Sequence, residues 1–109
     1  MPGTEPDAIT RYFEADARRD LDAVVALFTD DAVVVDEVET RRGIKEIRAW
    51  REGPASKYEY TTEVFDTEPT GEDAYVVTGR LEGNFPGGTA RVTWQFSVDG
   101  GRISLLHIA

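Results

Sequence analysis

Residues 11–36 read RYFEADARRDLDAVVALFTDDAVVVD, and this stretch decides the fold. Apolar residues at helical spacing predict an amphipathic helix over 4–19. Asp20 is placed to cap a second, shorter helix, which carries apolar residues up to Phe28. The apolar, β-branched run that follows predicts a strand over 32–36. The chain is therefore expected to open with helix, helix and strand.

The rest of the chain changes from helical to strand periodicity. Ile44, Ile47 and Trp50 recur every third residue and predict a third helix over 43–50. From Lys57 onward the period is two, and turns rich in glycine and proline divide this part into four strands joined by hairpins. Helices gathered before antiparallel strands indicate an α+β domain, in which the sheet curls around three short helices with room for a pocket between them.

Composition limits the possible functions. The 109 residues are one domain by length, and they hold 12 Lys and Arg against 21 Asp and Glu, a net charge of −9. This charge argues against a nucleic-acid partner, because phosphate contacts need clustered basic residues. Without cysteine and with one histidine, we expect no metal site and no cofactor. No membrane span or signal peptide is visible, so we expect one cytoplasmic domain over 1–109 that does not bind membranes.

Three segments, which together represent nearly the whole chain, resemble one superfamily. They are the helix–helix–strand opening over 11–33, the glycine-led helix over 42–50 and the closing hairpin over 96–103. The chain resembles the nuclear transport factor 2-like superfamily, and within it the ketosteroid isomerases and SnoaL-like polyketide cyclases. This resemblance implies a cone-shaped antiparallel sheet around the helices, one deep pocket, and a homodimer through the outer face of the sheet. It implies no single function, since the superfamily hosts many.

Two residues are candidate catalytic groups. Asp36 ends an apolar strand, where a carboxylate in a partly dry pocket can act as a general base. The resemblance places it at the aspartate that moves a proton next to a carbonyl in ketosteroid isomerases. Tyr12 matches the tyrosine that donates a hydrogen bond to the substrate oxyanion in those enzymes. The alternatives are a solvated aspartate at a strand end and a tyrosine that only packs in the core.

Trp94 and His107 bear on which reaction is possible. The isomerases carry a second aspartate, which an apolar site keeps protonated so that it can donate a hydrogen bond. Trp94 stands at that position here, which argues against true ketosteroid isomerase activity. His107, on the last predicted strand, is a third catalytic candidate as a proton shuttle. For both residues the alternative is simple packing in the core or at the pocket rim.

A further set of residues is expected to bind the ligand. Asp16 lies one helical turn after Tyr12, so it either points into the pocket or is solvated. Several aromatic side chains are suitable walls for a flat hydrophobic molecule. The predicted ligand-binding residues are Asp16, Phe28, Trp50, Tyr58, Tyr75 and Trp94. The sequence leaves open which face of the sheet Arg80 and Arg91 occupy.

Two functions remain open from the sequence. The first is an enzyme that needs no cofactor and moves protons on a small hydrophobic carbonyl compound, as an isomerase, cyclase or dehydratase. The second is a non-catalytic domain of the same fold that binds a small molecule or dimerises. The position of the Asp36 carboxylate relative to the pocket distinguishes the two.

Overall fold

Three helices form one side of the molecule. A computed structural model describes residues 7–36, 39–53 and 59–109. The helices are α1 (Asp7–Ala17), α2 (Leu21–Ala26) and α3 (Gly43–Glu52). The predicted cap of the second helix is confirmed, because the Asp20 side chain accepts a hydrogen bond from the backbone N–H of Ala23 at 3.2 Å. None of the helices in the described ranges is long and apolar enough to cross a membrane.

In the part of the chain that the structure describes, six strands form one curved sheet that does not close. They are β1 (Phe28–Asp36), β2 (Glu39–Arg42), β3 (Tyr60–Pro69), β4 (Ala74–Gly83), β5 (Thr89–Asp99) and β6 (Arg102–Ile108), in the order β2-β1-β6-β5-β4-β3. The α+β cone is confirmed. One detail differs from the expected antiparallel sheet: β1 pairs with β6 in parallel, so the sheet is mixed. Parallel strands need a long connection, and β2, α3 and the strands β3 to β5 lie between β1 and β6 in the chain.

The boundary between α2 and β1 differs from the prediction. The sequence predicts Phe28 at the end of the second helix, but this residue begins β1. Its partner on β6 is Ile103, and the register shifts before Val33 pairs with Leu105. Asp30 therefore lies within an irregular part of β1 and is exposed there, which explains how a strand can continue through a polar pair.

The core lies between the helices and the inner face of the sheet. Tyr12 on α1 contacts the rings of Phe13, Phe28 and Phe96 edge to face, with centroids 5.3 to 6.3 Å apart. Gly79 on β4 is needed at this level, since a Cβ atom there would collide with the backbone carbonyl of Glu63. The missing side chain also gives room to the ring of Trp94 on β5. This packing fixes the helices over the sheet.

A bulge in β6 decides which side chains face inward. Ser97 pairs with Leu105 but Val98 pairs with Ile103, so one extra residue, Ser104, lies on β6. The extra residue reverses the alternation. Ile103 and Leu106 are both buried in the core, and residues 105 and 107 point to the outer face.

Candidate functional site

A cavity of about 700 Å³ opens between α1, α3, the end of β1 and the inner face of strands β3 to β6. This volume is in the range of small-molecule sites. One part of its wall is apolar and is formed by Leu81, Phe85, Pro86, Ala90, Val92 and Ile108. The charged and polar side chains that border the cavity are Tyr12, Asp16, Asp36, Arg51, Tyr60, Thr62 and Arg91. A smaller depression of about 280 Å³ adjoins it at Ala90 and Arg91.

Asp36 lies at the end of β1, on the cavity wall. The indole Nε1–H of Trp50 on α3 donates a hydrogen bond to its Oδ2 at 2.9 Å. Within the described ranges, Oδ1 receives no hydrogen bond, so it is available to a ligand. Trp50 is itself buried to 2% exposure and holds the carboxylate in one orientation. The structure thus brings a fixed carboxylate oxygen to the cavity.

Tyr12 borders the same cavity from α1. Burial raises the pKa of its phenol well above the ordinary value, and the charges of Arg51, Asp16 and Asp36 act on it as well. Tyr12 and all three of those residues border one cavity. No hydrogen bond of this hydroxyl to any described residue is observed. It is therefore a neutral donor that a ligand oxygen can use.

A buried ion pair forms the second polar group of the cavity. Arg51 on α3 donates from Nη2 to Asp16 Oδ1 at 2.6 Å, and the two side chains are only 6% and 7% exposed. The Tyr60 hydroxyl on β3 donates to the same Oδ1 at 3.0 Å. Burial alone would lower the pKa of Arg51, but Tyr12 and Asp16 raise it, so the guanidinium stays charged. Of the two alternatives for Asp16, the structure shows the buried one.

The buried phenol of Tyr60 predicts that the protein loses stability at alkaline pH. Burial, followed by the charge of Asp16, raises its pKa from 10.0 to about 12. Below pH 10 the phenol is protonated in both the folded and unfolded chain. Between pH 10 and pH 12 only the unfolded chain loses the proton, so the free energy of unfolding falls there, by about 1.4 kcal/mol per pH unit per phenol. Tyr12 acts in the same direction.

Urea unfolding at pH 9 to 12 measures this loss. Tyr60→Phe is expected to lose less stability over this interval than the wild type. Tyr75→Phe, outside the cavity wall, is the matched control and is expected to follow the wild type. Equal slopes for the Tyr60→Phe variant and the wild type would contradict the assignment.

The predicted ligand-binding residues fall into three groups. Asp16, Trp50 and Trp94 border the cavity together with the catalytic candidates Asp36 and Tyr12. Two others do not border it: Phe28 is buried in the core, and Tyr75 on β4 is half-buried and packs against the core. Tyr58 lies outside the described residues.

His107 is on the other face of the sheet from the catalytic candidates. Its register partners are Val35 on β1 and Gln95 on β5, and it does not border the cavity, whereas its neighbour Ile108 does. Strict alternation along the last strand predicts it on the same face as Ile103, and the Ser104 bulge is the reason this is wrong. A pair formed by Asp36 and His107 across the pocket is therefore not present in this structure.

Two polar residues of the cavity are not anticipated from the sequence. Arg51 and Tyr60 are both absent from the predicted site residues. A signal for Arg51 exists, because it lies four residues after Ile47, on the inward face of the third helix. Nothing local in the sequence joins Tyr60 to Asp16, since 44 residues separate them.

The two arginines whose facing was open are register partners on β4 and β5, and both border the smaller depression. Arg80 is exposed and pairs with Glu63 at 2.8 Å and Glu82 at 3.6 Å. Arg91 borders both the cavity and the smaller depression, with its guanidinium 5.7 Å from the ring centroid of Phe65. Across the described parts of the chain, no group of three or more side chains is suitable for holding a metal ion.

Comparisons with known proteins agree with this architecture. Residues 9–106 match the SnoaL-like domain family. A candidate polyketide cyclase of Sinorhizobium meliloti is 33% identical, with 96% of this chain and 95% of that chain covered and a TM-score of 0.89. The Δ5-3-ketosteroid isomerase of a Mycobacterium species is 21% identical, with 94% and 89% covered and a TM-score of 0.79.

One more solved structure and the curated proteins were compared with this chain. A Mycobacterium tuberculosis protein solved with estradiol-17β-hemisuccinate is 18% identical, with 94% and 89% of the two chains covered and a TM-score of 0.79, and this shows a shared fold alone. No curated protein matches the sequence significantly. The family match spans most of the chain. The chain therefore belongs to the SnoaL-like domain family of the nuclear transport factor 2-like superfamily.

Proposed function

We propose that the protein is an enzyme that moves protons on a small, mainly hydrophobic carbonyl compound without a cofactor. The observation that carries the proposal is the position of Asp36: its side chain borders the cavity, Trp50 holds Oδ2 at 2.9 Å, and Oδ1 receives no hydrogen bond from a described residue. Tyr12 borders the same cavity with a neutral hydroxyl. A base and a hydrogen-bond donor that reach one ligand are what enolisation requires.

The proposed step begins with proton transfer to Asp36. Oδ1 takes a proton from the carbon next to the ligand carbonyl, the C–H electron pair becomes a C=C bond, and the carbonyl π pair moves onto oxygen. The Tyr12 hydroxyl donates a hydrogen bond to that oxygen. Return of the proton from Asp36 to another carbon gives isomerisation. When the enolate attacks a second carbonyl carbon, the proton passes from Asp36 to the new alkoxide oxygen, which gives cyclisation. When the enolate expels a β-hydroxyl, that group takes the proton from Asp36 and leaves as water, which gives dehydration.

The ligand class follows from the wall of the cavity. Leu81, Val92 and Ile108 form apolar surface near the two polar groups, and Trp94 adds a flat face. A volume of about 700 Å³ is enough for a molecule of two or more fused rings. Trp94 carries an indole N–H but no acid, so the oxyanion is expected to depend mainly on Tyr12.

A test with a simple ketone is available. The C1 protons of 2-tetralone are acidic, and their exchange for deuterium in D₂O is followed by proton NMR. We expect the protein to speed this exchange above the buffer rate at neutral pH. An exchange rate equal to that of buffer, at protein concentrations where the ketone is bound, would contradict the proposed activity.

The second candidate function is a non-catalytic binding domain. The feature that favours it is Trp94, which, by the resemblance, stands where ketosteroid isomerases carry their second acid. Such a domain is expected to bind 2-tetralone and its inert analogues with similar affinity, and without proton exchange. The exchange experiment therefore separates the two candidates.

We also propose a homodimer through the outer face of the sheet. Val33, Val35, Leu105 and Val76 lie on that face and are only half-buried in one chain. Sedimentation is expected to give twice the chain mass of 12.1 kDa, and Leu105→Glu is expected to give the single chain. Val64→Glu, at an exposed site on β3, is the control. A 12.1 kDa species alone at high concentration would contradict the dimer. The cytoplasmic location stays a prediction.

A further inference from the structure

We propose that Asp16 forms a second binding subsite, in which its Oδ2 accepts a hydrogen bond from an uncharged hydroxyl of the ligand. The substrate class is then a hydroxylated carbonyl compound. This inference rests on the proposed function for the carbonyl end of the ligand. The subsite itself rests on the geometry of Asp16, Arg51 and Tyr60, none of which takes part in the proton transfer at Asp36.

The two oxygens of the Asp16 carboxylate differ in their hydrogen bonding. Its Oδ1 accepts two hydrogen bonds, from Arg51 at 2.6 Å and from Tyr60 at 3.0 Å. Among the residues that the structure describes, Oδ2 has only a long contact with the Tyr60 hydroxyl, at 3.4 Å. The side chain is 7% exposed and borders the cavity. A buried carboxylate oxygen with remaining acceptor capacity is stabilised by a donor from the ligand.

Charge decides what kind of donor fits. Arg51 neutralises Asp16 at 2.6 Å, so the pair carries no net charge. An ammonium group placed there would bring an uncompensated positive charge beside the Arg51 guanidinium in a buried site, which is costly. A hydroxyl supplies the hydrogen bond without that cost. The site thus favours neutral donors over cations.

Asp16 lies close enough to Tyr12 for one ligand to reach both residues. Asp16 and Tyr12 lie one turn apart on α1, about 6 Å along the helix axis. Both border the cavity, and the charge of Asp16 acts on the Tyr12 phenol. One fused-ring molecule can therefore place a carbonyl at Tyr12 and a hydroxyl at Asp16.

The wild-type protein tests the subsite without any substitution. We would measure the dissociation constants, and the kcat/KM of deuterium exchange, for 2-tetralone and for its 6-hydroxy, 7-hydroxy and matching methoxy forms. At least one hydroxy form is expected to bind about tenfold more tightly than both 2-tetralone and its own methyl ether, as a hydrogen bond to a charged group allows. Affinities within threefold for the whole set would overturn the subsite.

The two proposals fail in different ways. Selective binding of a hydroxy form without proton exchange would support the subsite and contradict the enzymatic function. Exchange of every ketone at similar kcat/KM, with no selective binding, would support the function and overturn the subsite. No binding of any form at millimolar concentration would contradict both.

Variants assign the preference to Asp16. Asp16→Asn is expected to lose the preference for the hydroxyl and to bind 6-carboxy-2-tetralone more tightly than the wild type does, because the ligand then supplies the negative charge beside Arg51. An unchanged hydroxyl preference in this variant would overturn the assignment. Tyr60→Phe leaves the ion pair in place, so its hydroxyl preference is expected to persist; loss of that preference would point to Tyr60 as the acceptor instead. Tyr75→Phe is the matched control outside the cavity.

Discussion

Replacement of Asp36 by asparagine is expected to lower the kcat/KM for deuterium exchange of 2-tetralone by roughly 10² to 10⁴-fold, the usual contribution of a general base. The amide has nearly the same shape as the carboxylate and can still accept the Trp50 hydrogen bond, which measures 2.9 Å in the wild type. Binding of the ketone is therefore expected to change by only a few-fold. A loss in kcat with little change in affinity is typical of a group that acts in the transition state.

Asp66→Asn is the matched control for this substitution. Asp66 is exposed on β3 and does not border the cavity, so the same chemical change there is expected to leave kcat/KM unchanged. Exchange by Asp36→Asn at the wild-type rate would show that another group removes the proton. Equal losses in the two variants would point to an effect of net charge rather than of a base.

Replacement of Arg51 by methionine is expected to destabilise the fold by about 3–5 kcal/mol, the range measured when one partner of a buried ion pair is removed. Methionine fills much of the space of the arginine stem, so the lost charge dominates the effect. Asp16 would keep the Tyr60 hydrogen bond but would lie at 7% exposure without a cation. Urea unfolding at pH 7, followed by tryptophan fluorescence, measures the change.

Arg48→Met provides a control on the same helix. Arg48 pairs with Asp22 at 3.0 Å, but these side chains are 42% and 87% exposed. Removal of an exposed pair is expected to cost at most about 1 kcal/mol. A similar small loss for Arg51→Met would contradict the view that the Asp16–Arg51 pair is a desolvated part of the cavity.

Local patterns in the sequence are sufficient for most of the fold. The helical stripe before Asp20, the cap itself and the period of two after residue 57 are short-range signals, and the structure confirms the elements they predict. Gly43 also has a local reason, since its φ of +82° at the start of α3 favours glycine. The positions of Asp36 and Tyr12 on the cavity follow from the resemblance, although their roles stay predictions.

The features that local patterns miss depend on contacts between distant segments. The extra residue Ser104 in β6 places His107 on the opposite face of the sheet from the one that strict alternation predicts. The sequence pattern around Ser104 gives no sign of this bulge. The parallel pairing of β1 with β6 likewise joins two strands that are far apart in the sequence. The Asp16–Arg51 pair joins residues 35 positions apart, so neither charge reveals its partner in the sequence.

A ligand in the cavity is expected to contact Asp36, and an NMR titration tests this contact directly. The measurement is a titration with 2-naphthol, a stable enol analogue, in which the Asp36 carboxyl carbon and the indole N–H signals are followed together. The protein has two tryptophans, Trp50 and Trp94, and both border the cavity. We predict that the Asp36 carbon and both indole signals move with one dissociation constant. Indole signals that move while the Asp36 carbon stays unchanged would contradict the claim and favour the non-catalytic binding domain.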